Sequence, residues 1–316
     1  MKIVRIAKIA SNRPIDYPMT RLPDYPIRLS AVVGLLALFT VAVPAQAPAD
    51  LVSVLGLVGD RVLHYYSRAQ SIVCLERVMV QQIGADLAPQ GLSRTIEYEL
   101  RVEWEAGIDG APPDATVHRE IRTVNGRPPR PGDEPKCLDP RTITPEPLAF
   151  LLPGQRDEYV FSLGRPDRDR NRRLLTLDYR SRAVEKPPSE AVAEKRNSKG
   201  EDCVSFSYPV ELRGRLWLDP ETHDILRVDQ SLRRGFDVRV PAKVSQSGMT
   251  DRFSVERMDS SVRYRPVSFL DPDETILLPE SITEVMVVRG GSRAGKRIMQ
   301  TYSGYKRFIT GGRIVK

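Results

Sequence analysis

The sequence predicts a mainly β protein with some α structure (α+β): a curved antiparallel half-barrel of about ten strands wrapped around an N-terminal helix. Helical periodicity is concentrated in one segment that begins near position 50, and alternation of apolar and polar side chains dominates the chain after it. The gaps between strand-like segments are mostly short, which favours hairpins between antiparallel neighbours. Because every second side chain is apolar, one face of the sheet is expected to contact water.

Residues 1–45 are predicted to be an export signal. Basic side chains occur up to Arg28, and an uncharged segment follows them, as in a secretory signal peptide. The apolar core of that segment is shorter than the about 20 residues that a membrane span needs. Cleavage is expected after Ala45, and Met19 is an alternative start. Residues 46–316 are then expected to form a single domain in the periplasm or elsewhere in the soluble cell envelope, without a stable membrane span.

The charge of the chain argues against a nucleic-acid partner. The formal net charge is +7, but residues 1–45 contain six basic and two acidic side chains, so the exported part carries only +3. The densest basic cluster, 165–173, contains aspartates and lacks the aromatic side chains of a nucleic-acid surface. It is typical of a solvated hairpin tip, and contact with acidic head groups is the alternative.

The first element of the exported part is predicted to be a helix with Asp50 as its N-cap. Its apolar positions recur at steps of three and four: Leu51, Val54, Leu55, Val58, Val62, Tyr65, Tyr66 and Ala69. Gly56 and Gly59 weaken a helix by about 1 kcal/mol each relative to alanine. We therefore expect this helix to depend on packing against the sheet.

The strands follow. The clearest lies in 94–105, where apolar Ile96, Tyr98, Leu100, Val102 and Trp104 alternate with charged residues. The same alternation occurs in 159–163, 175–179 and 204–208, and less regularly in 215–234, 252–266, 281–289 and 297–310. Two segments interrupt the series: a short helical turn at 148–152, capped by Thr144, and a polar loop at 183–201.

The segment 215–229 (RLWLDPETHDILRVD) concentrates carboxylates and a histidine between Asp219 and Asp224. Asp before Pro, flanked by two β-prone runs, is typical of a turn between strands. A zinc site needs three or four convergent ligands, and the other histidines, His64 and His118, belong to different predicted elements. The turn is the interpretation that we adopt.

A second motif, 290–297 (GGSRAGKR), partly matches a phosphate-binding loop. Arg297 stands where a Ser or Thr would hold magnesium, and a strand is predicted after it instead of a helix. A glycine-rich hairpin turn fits better. Because we find no nucleophile elbow or other catalytic constellation, we predict no enzymatic activity, no cofactor and no metal.

Three cysteines would meet an oxidising compartment after export. Cys137 and Cys203 lie in polar surroundings at the edges of predicted elements and are the candidate disulfide, whereas Cys74 lies in an apolar segment that is typical of a buried free thiol. An odd count also allows an intermolecular bond, and spacing alone does not decide the pairing.

Large apolar side chains are expected to share the concave face of the sheet. The candidate cavity lining is Tyr98, Leu100, Trp104, Phe161, Phe206, Tyr208 and Phe308. These side chains either form an ordinary core or leave space for an acyl chain, since a sheet of this size can enclose more volume than its side chains fill. Both alternatives stay open at this point.

Four phrases of the sequence carry a family resemblance: Gly214–Asp219 (GRLWLD), Ile225–Arg227, Leu278–Glu280 and Tyr302–Phe308 (YSGYKRF). They are similar to phrases of the periplasmic lipoprotein-carrier superfamily, which includes proteins that sort lipoproteins to the outer membrane. The resemblance implies an unclosed barrel that holds acyl chains under a helical lid. The expected function is therefore non-catalytic binding of a lipid, an acyl chain or a lipoprotein. The alternative is a protein-interaction or envelope-sensing module whose barrel is fully packed.

Overall fold

The computed structural model describes residues 50–69, 71–105, 114–133, 148–169, 172–183, 189–195, 202–206, 210–242, 251–270, 273–290 and 294–307. Within these ranges the side chains of 105, 189–195 and 202–206 are not described. The predicted export signal, 1–45, lies outside them. Among the described residues no helix is long and apolar enough to cross a membrane.

One helix, two short 3-10 turns and fourteen strands form the described structure. The helix is α1 (Leu51–Arg68), and the 3-10 turns are Ala149–Leu151 and Arg156–Glu158. The strands are β1 (Ser71–Ile83), β2 (Pro89–Glu105), β3 (Asp114–Val124), β4 (Tyr159–Leu163), β5 (Asp167–Asp169), β6 (Arg172–Ser181), β7 (Ser189–Lys195), β8 (Asp202–Phe206), β9 (Leu212–Leu218), β10 (Ile225–Leu232), β11 (Phe236–Arg239), β12 (Arg252–Leu270), β13 (Asp273–Arg289) and β14 (Gly295–Arg307).

Ten of the strands lie side by side in the order β3-β2-β1-β14-β13-β12-β10-β9-β6-β4. Every pair along this path is antiparallel. Within the described residues the end strands β3 and β4 do not pair with each other, so the sheet stays open. The predicted antiparallel half-barrel of about ten strands is therefore confirmed for this path.

Helix α1 begins as the sequence predicts. The Asp50 carboxylate accepts a hydrogen bond from the backbone N–H of Ser53 at 3.1 Å, which is N-cap geometry. The side chains of Val54, Val58 and Val62 are at most 2% exposed. They belong to the same apolar core as inward-facing residues of β1, β2, β6, β9, β10, β12, β13 and β14, so the helix packs against the inner face of the sheet.

Gly214, in the GRLWLD phrase, is required by close packing on that inner face. A Cβ at this position would lie 2.1 Å from the backbone oxygen of Asp229 and 2.5 Å from the ring of Tyr179. Neither distance is compatible with a side chain, so glycine allows β6, β9 and β10 to approach one another here.

The structure differs from the sequence prediction in two respects. Strands β1, β3, β5 and β11 lie outside the segments in which the sequence analysis recognised alternation. Residues 183–201, expected to be a loop, contain strand β7, which pairs with β8 and runs parallel to β11. Pairing partners on both sides support a strand whose own composition is polar. The helical turn expected at 148–152 is confirmed as a 3-10 turn, and its expected cap, Thr144, lies outside the described residues.

Candidate functional site

Four of the seven residues predicted to line a cavity have described side chains. Tyr98 and Leu100 are each only 2% exposed. Leu100 belongs to the core under α1, and Tyr98 belongs to a neighbouring apolar cluster. Trp104 lies edge-to-face against Tyr66 with ring centroids 4.7 Å apart, and Phe161 lies 6.3 Å from the ring of Tyr179. These side chains contribute to the core.

The remaining predicted residues have no described side chains. Tyr208, Phe308 and Cys137 lie outside the described residues, and the side chains of Phe206 and Cys203 on β8 are not described. The disulfide therefore stays a prediction.

Cys74 is a buried free thiol, as its apolar sequence setting indicates. Burial, followed by the nearby carboxylate of Glu76, raises the pKa of Cys74 from 9.0 to about 12. A thiol with such a pKa is a poor nucleophile at neutral pH.

The acidic segment after Leu218 is a turn, which confirms the interpretation drawn from its sequence. Strand β9 ends at Leu218 and β10 begins at Ile225. The Asp219 carboxylate accepts hydrogen bonds from the backbone N–H groups of Glu221 and Thr222, both at 2.8 Å. His223 adopts a positive φ of 60°. Among the described residues no group of three or more metal-ligating side chains converges.

The glycine-rich motif at 290–297 is followed by a strand, as predicted. Gly290 has a φ of 79°, and β14 begins at Gly295. Without a following helix the segment lacks the helix N-terminus on which a phosphate-binding loop depends.

The turn at 219–224 borders a cavity of about 360 Å³ between α1 and the inner face of the sheet. Most of the lining is apolar and comes from α1, the 3-10 turn region and strands β10, β12 and β13: Val62, Tyr65, Leu148, Ile225, Leu226, Tyr264, Pro266, Ile276 and Leu277. The volume lies within the range of about 300–1,000 Å³ that is typical of small-molecule sites. We take this cavity as the candidate site.

Charged and polar side chains border the same cavity. They are Arg61, His64, Arg172, Asp219, Asp224 and Thr275. Arg61 donates a hydrogen bond to the backbone oxygen of Thr222 at 2.7 Å and lies 3.6 Å from the Asp224 carboxylate. Arg172 pairs with Asp219. The cavity therefore combines an apolar wall with charges of both signs, all supplied by one helix and the strand ends around one turn.

A second polar group on the inner face was not predicted. Glu76 on β1 is fully buried, and its carboxylate accepts hydrogen bonds from the guanidinium of Arg119 on β3 at 2.6 and 3.1 Å. Gln300 and the hydroxyl of Tyr302, both on β14, complete the cluster at 3.3 and 3.1 Å. Burial, followed by the charge of Glu76, raises the pKa of Tyr302 well above its usual value.

The sequence does contain a signal for this cluster. Glu76 lies two positions from both Cys74 and Val78, so its side chain lies on the same buried face of β1. A carboxylate on an apolar strand face implies a buried partner, because an unpaired buried charge is costly. The sequence does not show which residue is that partner.

Comparisons with known proteins return structural similarities only. No protein-family model matches the chain, and no curated protein matches it significantly. Among solved structures, an outer membrane lipoprotein-sorting protein domain from Vibrio parahaemolyticus is 11% identical, with a TM-score of 0.38 and coverage of 81% of this chain and 92% of that one. A DUF1329 family protein from Desulfovibrio piger is 10% identical, with a TM-score of 0.40 and coverage of 83% and 95%.

A LolA superfamily protein from Nitrosomonas europaea is also 10% identical, with a TM-score of 0.33 and coverage of 85% of this chain and 98% of that one. Two of these three structures are described as lipoprotein-sorting or LolA superfamily proteins, the class that the four sequence phrases resemble. At these identities and TM-scores the likeness does not extend to what this chain binds.

Proposed function

We propose that this chain is an exported protein of the cell envelope that binds an acyl chain of a lipid or lipoprotein, without catalysis, in the cavity between α1 and the inner face of the sheet. The observation that carries the proposal is the cavity itself. Its apolar lining offers burial worth about 25 cal/mol for each Å² removed from water. No covalent chemistry is needed for such binding.

The border of the cavity suits the polar end of such a ligand. Arg61 and Arg172 supply guanidinium groups near the entrance, and both keep side chains that are about half exposed, at 45% and 59%. Asp219 and Asp224 balance them. An apolar interior with a few polar groups at one end is the usual arrangement of a site for an amphipathic molecule.

Trp104 and Phe161 remain candidates for contact with a longer chain, because both are only partly buried against the core. Such a chain would extend beyond the cavity lining and displace aromatic contacts that exist without it. The proposal therefore includes Trp104 and Phe161 from the cavity lining that was predicted from the sequence.

Native mass spectrometry of the protein, purified without detergent, tests the proposal with palmitate as the added probe. We expect a one-to-one adduct, or a co-purifying lipid that palmitate displaces. Leu277→Trp places a large ring in the cavity and should weaken palmitate binding by about tenfold, or about 1.4 kcal/mol. Leu226→Trp, on strand β10 in the lining of the same cavity, is a second variant of the same kind in case the first folds poorly.

Leu55→Trp is the matched control. Leu55 is also a partly buried leucine packed against the same core, but it does not line the cavity. Circular dichroism establishes that each variant is folded. A folded wild-type protein that carries no lipid and takes up no palmitate would overturn the proposal and favour the interaction module with a fully packed barrel.

A further inference from the structure

A groove of about 1140 Å³ lies on the outer face of the sheet, opposite the face that α1 covers. It crosses β4, β6, β9, β10, β12 and β13. The alternation of the strands fixes its lining: on β9, Leu216 and Leu218 point into the core, so Arg213, Arg215 and Trp217 point into the groove. This surface is separate from the proposed acyl-chain cavity.

Most of the charges along the groove are paired. Arg215 on β9 contacts the Asp178 carboxylate on β6 at 2.5 and 3.0 Å. Arg227 on β10 contacts Asp229 at 2.5 and 2.7 Å, and the hydroxyl of Ser261 on β12 donates to the same carboxylate at 2.7 Å. These pairs form a row across neighbouring strands in which each guanidinium has its own carboxylate.

Arg180 and Arg213 are the exception. They are direct partners in the register of β6 and β9, and both side chains are exposed. Neither has an ion pair or a side-chain hydrogen bond with another described residue. Like charges directly opposite each other destabilise a sheet, so the stability of the fold gives no reason for this pair. An anion held between the two guanidinium groups would remove the repulsion.

The shape and the remaining charges indicate which anion. A planar membrane surface would not reach the floor of a groove, and the aspartates that alternate with the arginines would repel anionic head groups. An extended polypeptide avoids both problems, since it can place one carboxylate between the two arginines and direct other side chains elsewhere. Trp217, whose indole N–H donates to Asp167 at 2.8 Å, supplies an aromatic surface under Arg227, whose guanidinium lies 4.5 Å from the ring centroid.

We propose that this outer groove, called here the arginine groove and defined by Arg180, Arg213, Arg215, Trp217 and Asp229, binds an extended segment of another protein that presents one carboxylate to Arg180 and Arg213 and neutral side chains to the rest of the groove. The facing arginines Arg180 and Arg213 hold a carboxylate of that segment through charge-assisted hydrogen bonds. Guanidinium groups match the geometry of a carboxylate, so lysine in their place would bind more weakly.

Fluorescence anisotropy of a fluorescein-labelled peptide with one central glutamate between serine residues, titrated with the purified protein, tests this proposal. The wild-type protein should bind the peptide, and binding should weaken as salt is added. Arg180→Gln/Arg213→Gln should weaken binding by about tenfold, or about 1.4 kcal/mol. Both residues are exposed, so the variant is expected to fold.

Arg77→Gln/Arg239→Gln is the matched control, because it removes two exposed arginines of the same sheet from outside the groove. It makes the same change in net charge and should bind the peptide as the wild type does. Equal losses in the two double variants would overturn the proposal, since binding would then follow net charge. Vesicles of phosphatidylglycerol that bind through Arg180 and Arg213, with no peptide binding, would overturn it in favour of a membrane surface.

Discussion

Glu76 and Asp219 are both buried carboxylates, yet their surroundings differ. Glu76 lies in the middle of β1, where its partners come from β3 and β14, and Arg119 lies 43 positions away in the chain. Asp219 lies at the start of a turn and accepts hydrogen bonds from backbone groups two and three positions further on. Its other partner, Arg172, keeps a side chain that is 59% exposed.

The two carboxylates differ in how much of the fold must assemble before their charges are stabilised. β3 is not adjacent to β1, so the Arg119 side chain must extend across β2 to reach Glu76. The charge of Glu76 is therefore tolerated only when β1, β2, β3 and β14 have assembled. The charge of Asp219 is stabilised by its own turn, and needs little from the rest of the fold. Substitutions at the two positions should therefore differ in how much stability they remove and in which further variant restores it.

Glu76→Gln is expected to have the largest effect. It leaves the guanidinium of Arg119, whose side chain is 6% exposed, without its carboxylate, and breaking a buried pair in this way costs about 3–5 kcal/mol. Urea denaturation followed by circular dichroism measures the loss in the free energy of unfolding. The control is Glu99→Gln, because Glu99 is 25% exposed and pairs with exposed Arg101 and Arg122, so its loss should cost about 1 kcal/mol or less.

The double variant Glu76→Met/Arg119→Met decides whether the cost comes from the unpaired charge. Apolar side chains of similar size often replace a buried ion pair without loss of stability. We expect the double variant to recover most of the loss seen in Glu76→Gln. A double variant as unstable as the single one would mean that the hydrogen bonds from Gln300 and Tyr302 matter more than the charge pairing.

Asp219→Ala should cost less, about 1–2 kcal/mol, because it removes one acceptor for two backbone N–H groups at the end of β9. Asp219→Asn keeps an acceptor oxygen and should recover part of that loss. The exposed neighbour Glu221 provides the control, since Glu221→Ala should change stability by no more than about 0.5 kcal/mol. A loss for Asp219→Ala as large as that for Glu76→Gln would remove the distinction between the two carboxylates.

The same contrast explains how much could be predicted from the sequence. The Asp50 cap, the strand alternation and the turn at 219–224 depend on residues within a few positions of one another, and all three are confirmed. Strand β7 was missed because its pairing with β8 and β11 outweighs a polar composition.

The candidate site was less predictable. The cavity is bounded by α1, the region of Leu148 and three strands, so its position depends on how distant elements pack. The sequence indicated large apolar side chains, of which Tyr98 and Leu100 are packed into the core. It could not indicate that the space lies beside Ile276 and Leu277, because volumes left between elements have no local pattern.

The smallest effect is expected at the contact between helix and turn. Arg61 donates to the backbone oxygen of Thr222, but its side chain is 45% exposed, so Arg61→Gln should cost about 1 kcal/mol or less. Urea denaturation of Arg61→Gln beside Asp219→Ala measures the difference, and Arg77→Gln controls for the loss of an exposed arginine elsewhere. If Arg61→Gln proved as costly as Asp219→Ala, the turn would be held by α1 and not by its own carboxylate. Asp219 would then resemble Glu76, as a group whose burial depends on distant elements.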